Sequence, residues 1–243
     1  QWFSLPTIPR NSQVTTNDGG GWHIGTPLTI HTNRKSSSFT HTITIRLGGS
    51  GGTVLQTINS VGDNVTWTAS PSQIVQIQNS IPNDNRALIH ITQYNNQVGQ
   101  NSTTQAWNYI TDANPIFSNF TYKDSNASVA TITGNNQVLV KGKSTLQVTV
   151  PSGDKMVAQK GANPDYYAIA YDGVSNNEAY SASNVNSDFT NIDTVGSRAI
   201  LVTAYDSRTN NTRVAKNVQV YDYTPPNIEF EVTRENNFGE DVT

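Results

Sequence analysis

Ile89-His90-Ile91-Thr92-Gln93-Tyr94-Asn95-Asn96 and Ile200-Leu201-Val202-Thr203-Ala204-Tyr205-Asp206-Ser207 decide the fold, because the second stretch echoes the first about 111 residues later. Each alternates apolar and polar side chains with period two and runs into turn formers, the pattern of a strand with one buried face. Self-similarity at a fixed offset marks repeated structural units, which composition alone does not reveal.

The same alternation extends outward from this pair. Leu28-Thr29-Ile30-His31, Phe39 to Leu47, Gln137 to Val140, Leu146 to Val150 and Val218 to Tyr221 are rich in Thr, Val and Ile at period two. Turn clusters stand between them, among them Asn17-Asp18-Gly19-Gly20-Gly21, Gly48-Gly49-Ser50-Gly51-Gly52 and Gly134-Asn135-Asn136. Helical periodicity is nearly absent. Alternation with one face buried predicts antiparallel sheets, and the offset is close to the size of one immunoglobulin-like sandwich, about 100 residues. The predicted fold is therefore all-β, with immunoglobulin-like antiparallel β-sandwiches in tandem.

The repeat also places the boundaries. Pro115 and Pro226 fall at the same offset, and each precedes a fresh alternating stretch. Proline fixes φ and removes a backbone donor, so it ends a sheet ladder and stiffens the link that follows. The first module is predicted over 1–113 and the second over 114–224, the latter with a long polar insertion from Pro151 to Ser197. Residues 225–243 form a tail or the start of a third module, since Ile228-Glu229-Phe230-Glu231-Val232 alternates again.

Composition excludes several classes of function. The chain has 243 residues, of which 14% are charged, with a net charge of −3. Nucleic acid is not expected as a partner, because phosphate binding needs clustered Lys and Arg. No apolar run reaches the roughly 18 to 20 residues that span a bilayer, so no membrane partner is expected. With no cysteine in the sequence, disulfides, thiolate metal sites and a cysteine nucleophile are ruled out. The chain opens Gln1-Trp2-Phe3 and its single methionine is Met156, which predicts a processed product or a piece of a longer polypeptide.

Catalysis is not expected. Glycoside hydrolysis needs two opposed carboxylates, yet of the five glutamates only Glu178 lies outside the last fifteen residues. No Gly-x-Ser-x-Gly elbow occurs. His31 and His41 fall on neighbouring predicted strands and could face each other, but two imidazoles without a third ligand do not make a metal site. Asp154, Asp165, Asp172 and Asp188 lie in loop-rich sequence without the ordered spacing of a calcium loop. No metal or cofactor is predicted. Among the aromatics, Trp67 and Trp107 sit on predicted strands and are assigned to the core. Trp22 follows three glycines and is placed on an exposed loop, where it, Tyr166 and Tyr180 are the predicted ligand contacts.

Four stretches together resemble a known family: Ile8 to Ser12, Ile24 to Ile30, Arg34-Lys35-Ser36-Ser37-Ser38-Phe39-Thr40-His41-Thr42-Ile43-Thr44, and Val65-Thr66-Trp67. They are similar to long tail proteins of siphophages that infect streptococci and related Gram-positive bacteria. In those proteins modules end in a V-T-x-x-D-S-R stretch, matched here by Val202-Thr203-Ala204-Tyr205-Asp206-Ser207-Arg208. The segment from Asn236 to Thr243 departs from the pattern.

The resemblance implies a structural protein of the phage tail tip or fibre, a virion component assembled in the bacterial cytoplasm and acting at the host cell surface. Implied partners are other tail proteins, a bacterial cell-wall polysaccharide and, for the full-length protein, further copies in a homotrimer. Two other expectations remain open on the residues alone, a bacterial surface adhesin and an accessory carbohydrate-binding module of a larger enzyme.

Overall fold

The computed structural model describes residues 10–19, 21–225, 227 and 229. The alternating stretch Ile228 to Val232 lies largely outside them. Two β-sandwiches follow one another along the chain.

In the first, β1 (Thr15–Thr16), β3 (Leu28–His31) and β6 (Val65–Trp67) form one sheet, in the order β1-β3-β6. The facing sheet has the order β2-β8-β7-β4-β5, from β2 (Trp22–His23), β4 (His41–Leu47), β5 (Thr53–Val61), β7 (Arg86–Asn95) and β8 (Gln100–Tyr109). The second sandwich repeats this plan strand for strand. Its smaller sheet is β9 (Thr121–Asp124), β11 (Leu146–Val150) and β14 (Val185–Phe189). Its larger sheet runs β10-β16-β15-β12-β13, from β10 (Val138–Val140), β12 (Pro164–Tyr171), β13 (Val174–Ala179), β15 (Gly196–Asp206) and β16 (Asn211–Tyr221). Pairing is antiparallel except at one edge of each larger sheet, where β2 runs parallel to β8 and β10 parallel to β16.

Each sandwich closes over its own core. Leu28, Ile30, Ile43, Ile45, Trp67, Ile89 and Ile91 belong to the first cluster; Phe120, Leu146, Val148, Tyr167, Ile169, Ile200 and Val202 belong to the second. The inward rows are the apolar phase of the alternation in each strand, so one residue type pattern explains both strand formation and burial. The polar stretch from Pro151 to Ser197 is not an addition to the second sandwich. It contains β12, β13 and β14, the counterparts of β4, β5 and β6, with Tyr167, Ile169 and Tyr171 buried in alternation.

The repeat weakens after Asp206 for a physical reason. Six residues, 95–100, separate Tyr94 from its partner Asn101, whereas five, 206–210, separate the equivalent pair Tyr205 and Asn211. One residue fewer reverses the phase of everything after it relative to the repeat offset, because successive side chains on a strand point to opposite faces. Ala106 is buried while Asn217, at the repeat offset, is exposed.

Two short helices were not signalled by periodicity. α1 (Pro71–Asn79) joins β6 to β7 and begins at a capping box, in which the Ser70 hydroxyl accepts from Gln73 N and the Gln73 side chain accepts from Ser70 N at 2.8 Å. α2 (Ala127–Thr133) joins β9 to β10, capped by the Asn126 side chain and ended by Gly134 in the left-handed conformation at φ 66°.

Candidate functional site

The three predicted ligand contacts do not converge. Trp22 is not on an exposed loop: it pairs with Asn108 as part of β2, is 8% exposed, and meets Trp67 edge to face at 5.9 Å. The preceding Gly21 makes this approach possible, since a Cβ there would collide with the Tyr109 ring. Tyr166 and Tyr180 belong to the other sandwich. Tyr166 stacks on Tyr205 across the sheet, with centroids 4.7 Å apart and planes 7° from parallel. Tyr180 packs against the second core beside Tyr167.

Trp107 reverses in the other direction. Expected in the core, it faces solvent at 38% exposure, with the Arg86 guanidinium 4.8 Å from its ring centroid.

His31 and His41 do not face each other: His41 lies in the inward row of β4 with Ile43 and Ile45, whereas His31 lies on the face of β3 opposite to its inward Leu28 and Ile30. His41 is fully buried, and its Nδ1 lies 3.1 Å from the Val61 carbonyl. Among the described residues no group of three or more His, Cys, Asp or Glu could hold a metal ion. The loop aspartates are engaged locally: Asp154 accepts from Asn119, Asp172 from Thr194 and Asp188 from Gln147.

The densest polar constellation lies where the two sandwiches meet, and it is built by Asp206-Ser207-Arg208. Asp206, fully buried, shapes the β15–β16 turn by accepting from the backbone N–H groups of Arg208 and Asn210, both at 2.9 Å. Ser207 then donates to the Pro82 carbonyl at 2.6 Å and accepts from Asn163 N at 2.9 Å. Arg208 has a side chain only 2% exposed. Its Nη2 donates to Gln78 O at 3.1 Å and to Ile81 O at 2.9 Å, its Nε to Ile81 O at 3.3 Å and its Nη1 to Lys160 O at 2.8 Å. The Asp112 carboxylate lies 3.7 Å from Nη1.

A cation is well placed there. The last carbonyls of a helix have no intrahelical partner and carry the negative end of its dipole, and α1 has no basic residue of its own in its last turn. Arg208 supplies one from the neighbouring sandwich, and its planar fork reaches several carbonyls at once. Gly161 completes the fit: it sits at φ +80°, and a Cβ there would lie 2.6 Å from the backbone of Gln78.

The corresponding turn of the first sandwich uses the same scaffold differently. Asn95 takes the place of Asp206, accepting from Gln97 N at 3.1 Å and Val98 N at 3.2 Å. Gln97, in the place of Arg208, turns back onto its own sandwich, where its side chain accepts from Thr40 N at 2.7 Å.

Topology and junction together define a tandem immunoglobulin-like protein whose consecutive sandwiches are fastened to each other. The chain belongs to a family described as siphovirus protein of unknown function, whose model matches residues 1–242 and so includes the segment after Asn236 that departs from the motif pattern. No curated protein matches it. Similar solved structures include fibronectin(III)-like modules of Clostridium thermocellum CbhA, at 12% identity and TM-score 0.33, covering 90% of this chain and all of that one. Murine CEACAM1b matches at 8% identity and TM-score 0.37, over 87% of this chain and all of that one. A Ca2+-stabilized adhesin with which an Antarctic bacterium binds ice matches at 14% identity and TM-score 0.33, over 89% of this chain and 50% of that one.

Proposed function

We propose that the chain is a structural, non-catalytic component of a siphophage tail tip or fibre, which acts as a stiff spacer and contributes to attachment at the bacterial surface through a wall glycan. The observation that carries this reading is the junction at Arg208. A buried guanidinium that joins Gln78, Ile81 and Lys160 across two sandwiches opposes hinge motion, because bending would strip partners from a buried charge at a cost of several kcal/mol. The Asp-Ser-Arg turn closes the stretch that resembles the module ends of Gram-positive phage tail proteins, which gives that motif a mechanical use.

Small-angle X-ray scattering of the intact chain tests the spacer. The expected result is one narrow distribution of particle length that broadens in Arg208→Ala; a wild-type chain as variable in length as the variant refutes it. Co-sedimentation with walls of the phage host tests attachment, and absence of binding removes that part of the reading while leaving the spacer.

A further inference from the structure

The outer face of the first sandwich's larger sheet differs from the outer face of its repeat. In β7 the residues Ala87, Ile89, Ile91, Gln93 and Asn95 are buried toward the other sheet, so Arg86, Leu88, His90, Thr92 and Tyr94 point away from it. The register sets Trp107 beside Leu88, Gln105 and Arg46 on either side of His90, and Tyr109 beside Arg86. Two arginines and a solvent-facing tryptophan thus share one flat surface.

Three observations mark this surface as a binding face. The first is charge: no Asp or Glu occurs in β2, β4, β5, β7 or β8, so Arg46 and Arg86 meet no carboxylate from the strands of their own sheet. Asp84, just before β7, is turned onto the backbone N–H groups of Asn85 and Arg86. The second is the indole of Trp107, large and exposed, braced by Arg86. The third is His90, which is 6% exposed and has no hydrogen-bond partner at either ring nitrogen among the described residues. Both ring nitrogens are closed to solvent, and an unpaired buried nitrogen is unfavourable, so a ligand hydroxyl that displaces the cover over the ring would supply the bond it lacks.

We propose that this face binds an anionic polysaccharide, with a sugar ring laid on Trp107, its carboxylate or phosphate groups on Arg46 and Arg86, and hydroxyls met by His90 and Gln105. The guanidinium fork matches both anions. A polynucleotide fits less well, because its closely spaced phosphates need a longer run of cations than two arginines. The assignment of the polymer to the host wall rests on the attachment reading above; the site itself does not.

Affinity electrophoresis of the full chain through gels containing polygalacturonate, phosphomannan or neutral dextran tests the proposal, with an oligothymidylate titration alongside. Retardation is expected by polygalacturonate or phosphomannan and not by dextran. Trp107→Ala and Arg46→Ala should each weaken it about tenfold or more, as loss of a central aromatic or arginine contact does, while Arg213→Ala on the other sandwich leaves it unchanged. Circular dichroism melts verify that each variant folds. No retardation by either polyanion, equal retardation by dextran, tighter binding of the oligonucleotide, or variants that bind like wild type would each overturn it. Host walls separate the two readings: walls bound equally by wild type and Trp107→Ala refute this site and keep attachment, and polyanion binding that needs Trp107 without wall binding keeps the site and refutes attachment.

Discussion

At the scale of single residues, the tryptophans show what alternation can and cannot reveal. Trp67 is placed correctly by its strand, but Trp22 and Trp107 exchange their expected environments. The inward row of β8 is Ser102, Thr104, Ala106 and Asn108, too polar for hydrophobicity to fix its phase, and Asn108 is fully buried because its side chain donates to the Trp22 carbonyl at 3.3 Å. β2 has only two residues, too few to show any period. Trp67→Ala and Trp22→Ala should each cost about 3–5 kcal/mol in urea denaturation, as buried aromatic truncations do. Trp107→Ala should stay within about 0.5 kcal/mol, and a loss as large as that of Trp67 would put it in the core. Alkali offers a second measurement. Burial pushes the ionisation of Tyr167 and Tyr171 above the ordinary 10.0, with Met156 N–H partly offsetting it for the first and Arg198 for the second. Such tyrosines ionise more readily in the unfolded chain. Their contribution to stability is therefore whole below pH 10 and is lost as pH rises through and beyond it, so the melting temperature should fall between pH 9.5 and about 11, and less steeply in Tyr171→Phe.

At the scale of elements, the strands were legible wherever they bury one complete face. β3, β7, β11 and β15 contain period-two stretches of Ile, Val and Thr, and the pair in β7 and β15 carries the repeat. The helices were hidden because α1 and α2 run for 9 and 7 residues, about two turns each, and bury little: Ile77 and Gln78 in one, Val129 in the other. Their end signals were nonetheless in the sequence, as Ser70-Pro71-Ser72-Gln73 and as Asn126 with Gly134. Ser70→Ala removes half of the capping box and should destabilise the first sandwich by about 1 kcal/mol; an unchanged urea midpoint would show that the cap carries no weight. The Asp-Ser-Arg turn was visible only as a resemblance, since nothing local to residues 206–208 reveals that their partners lie at 78–82.

At the scale of the whole molecule, two sandwiches of one topology divide the work. The first presents Arg46, Arg86 and Trp107 on a sheet whose strands hold no Asp or Glu, and the second contributes the fastening. Limited proteolysis reports on that fastening. Cleavage between Thr111 and Asn114 should be slow in the wild-type chain and markedly faster in Arg208→Ala, with cleavage in the exposed Ala182–Asn184 segment unchanged by the substitution. Equal rates at the linker would show that the junction opens without regard to Arg208. The boundary expected at residue 114 belongs to the same experiment, which should release fragments that begin or end there.

The arginine that completes α1 also sets a timetable. The helix ends at Asn79, yet the guanidinium that satisfies its carbonyls stands at 208. At ordinary rates of protein synthesis that gap lasts on the order of ten seconds. During that interval the carbonyls of Gln78 and Ile81 keep only their local backbone donors, and the guanidinium joins them once the second sandwich has folded.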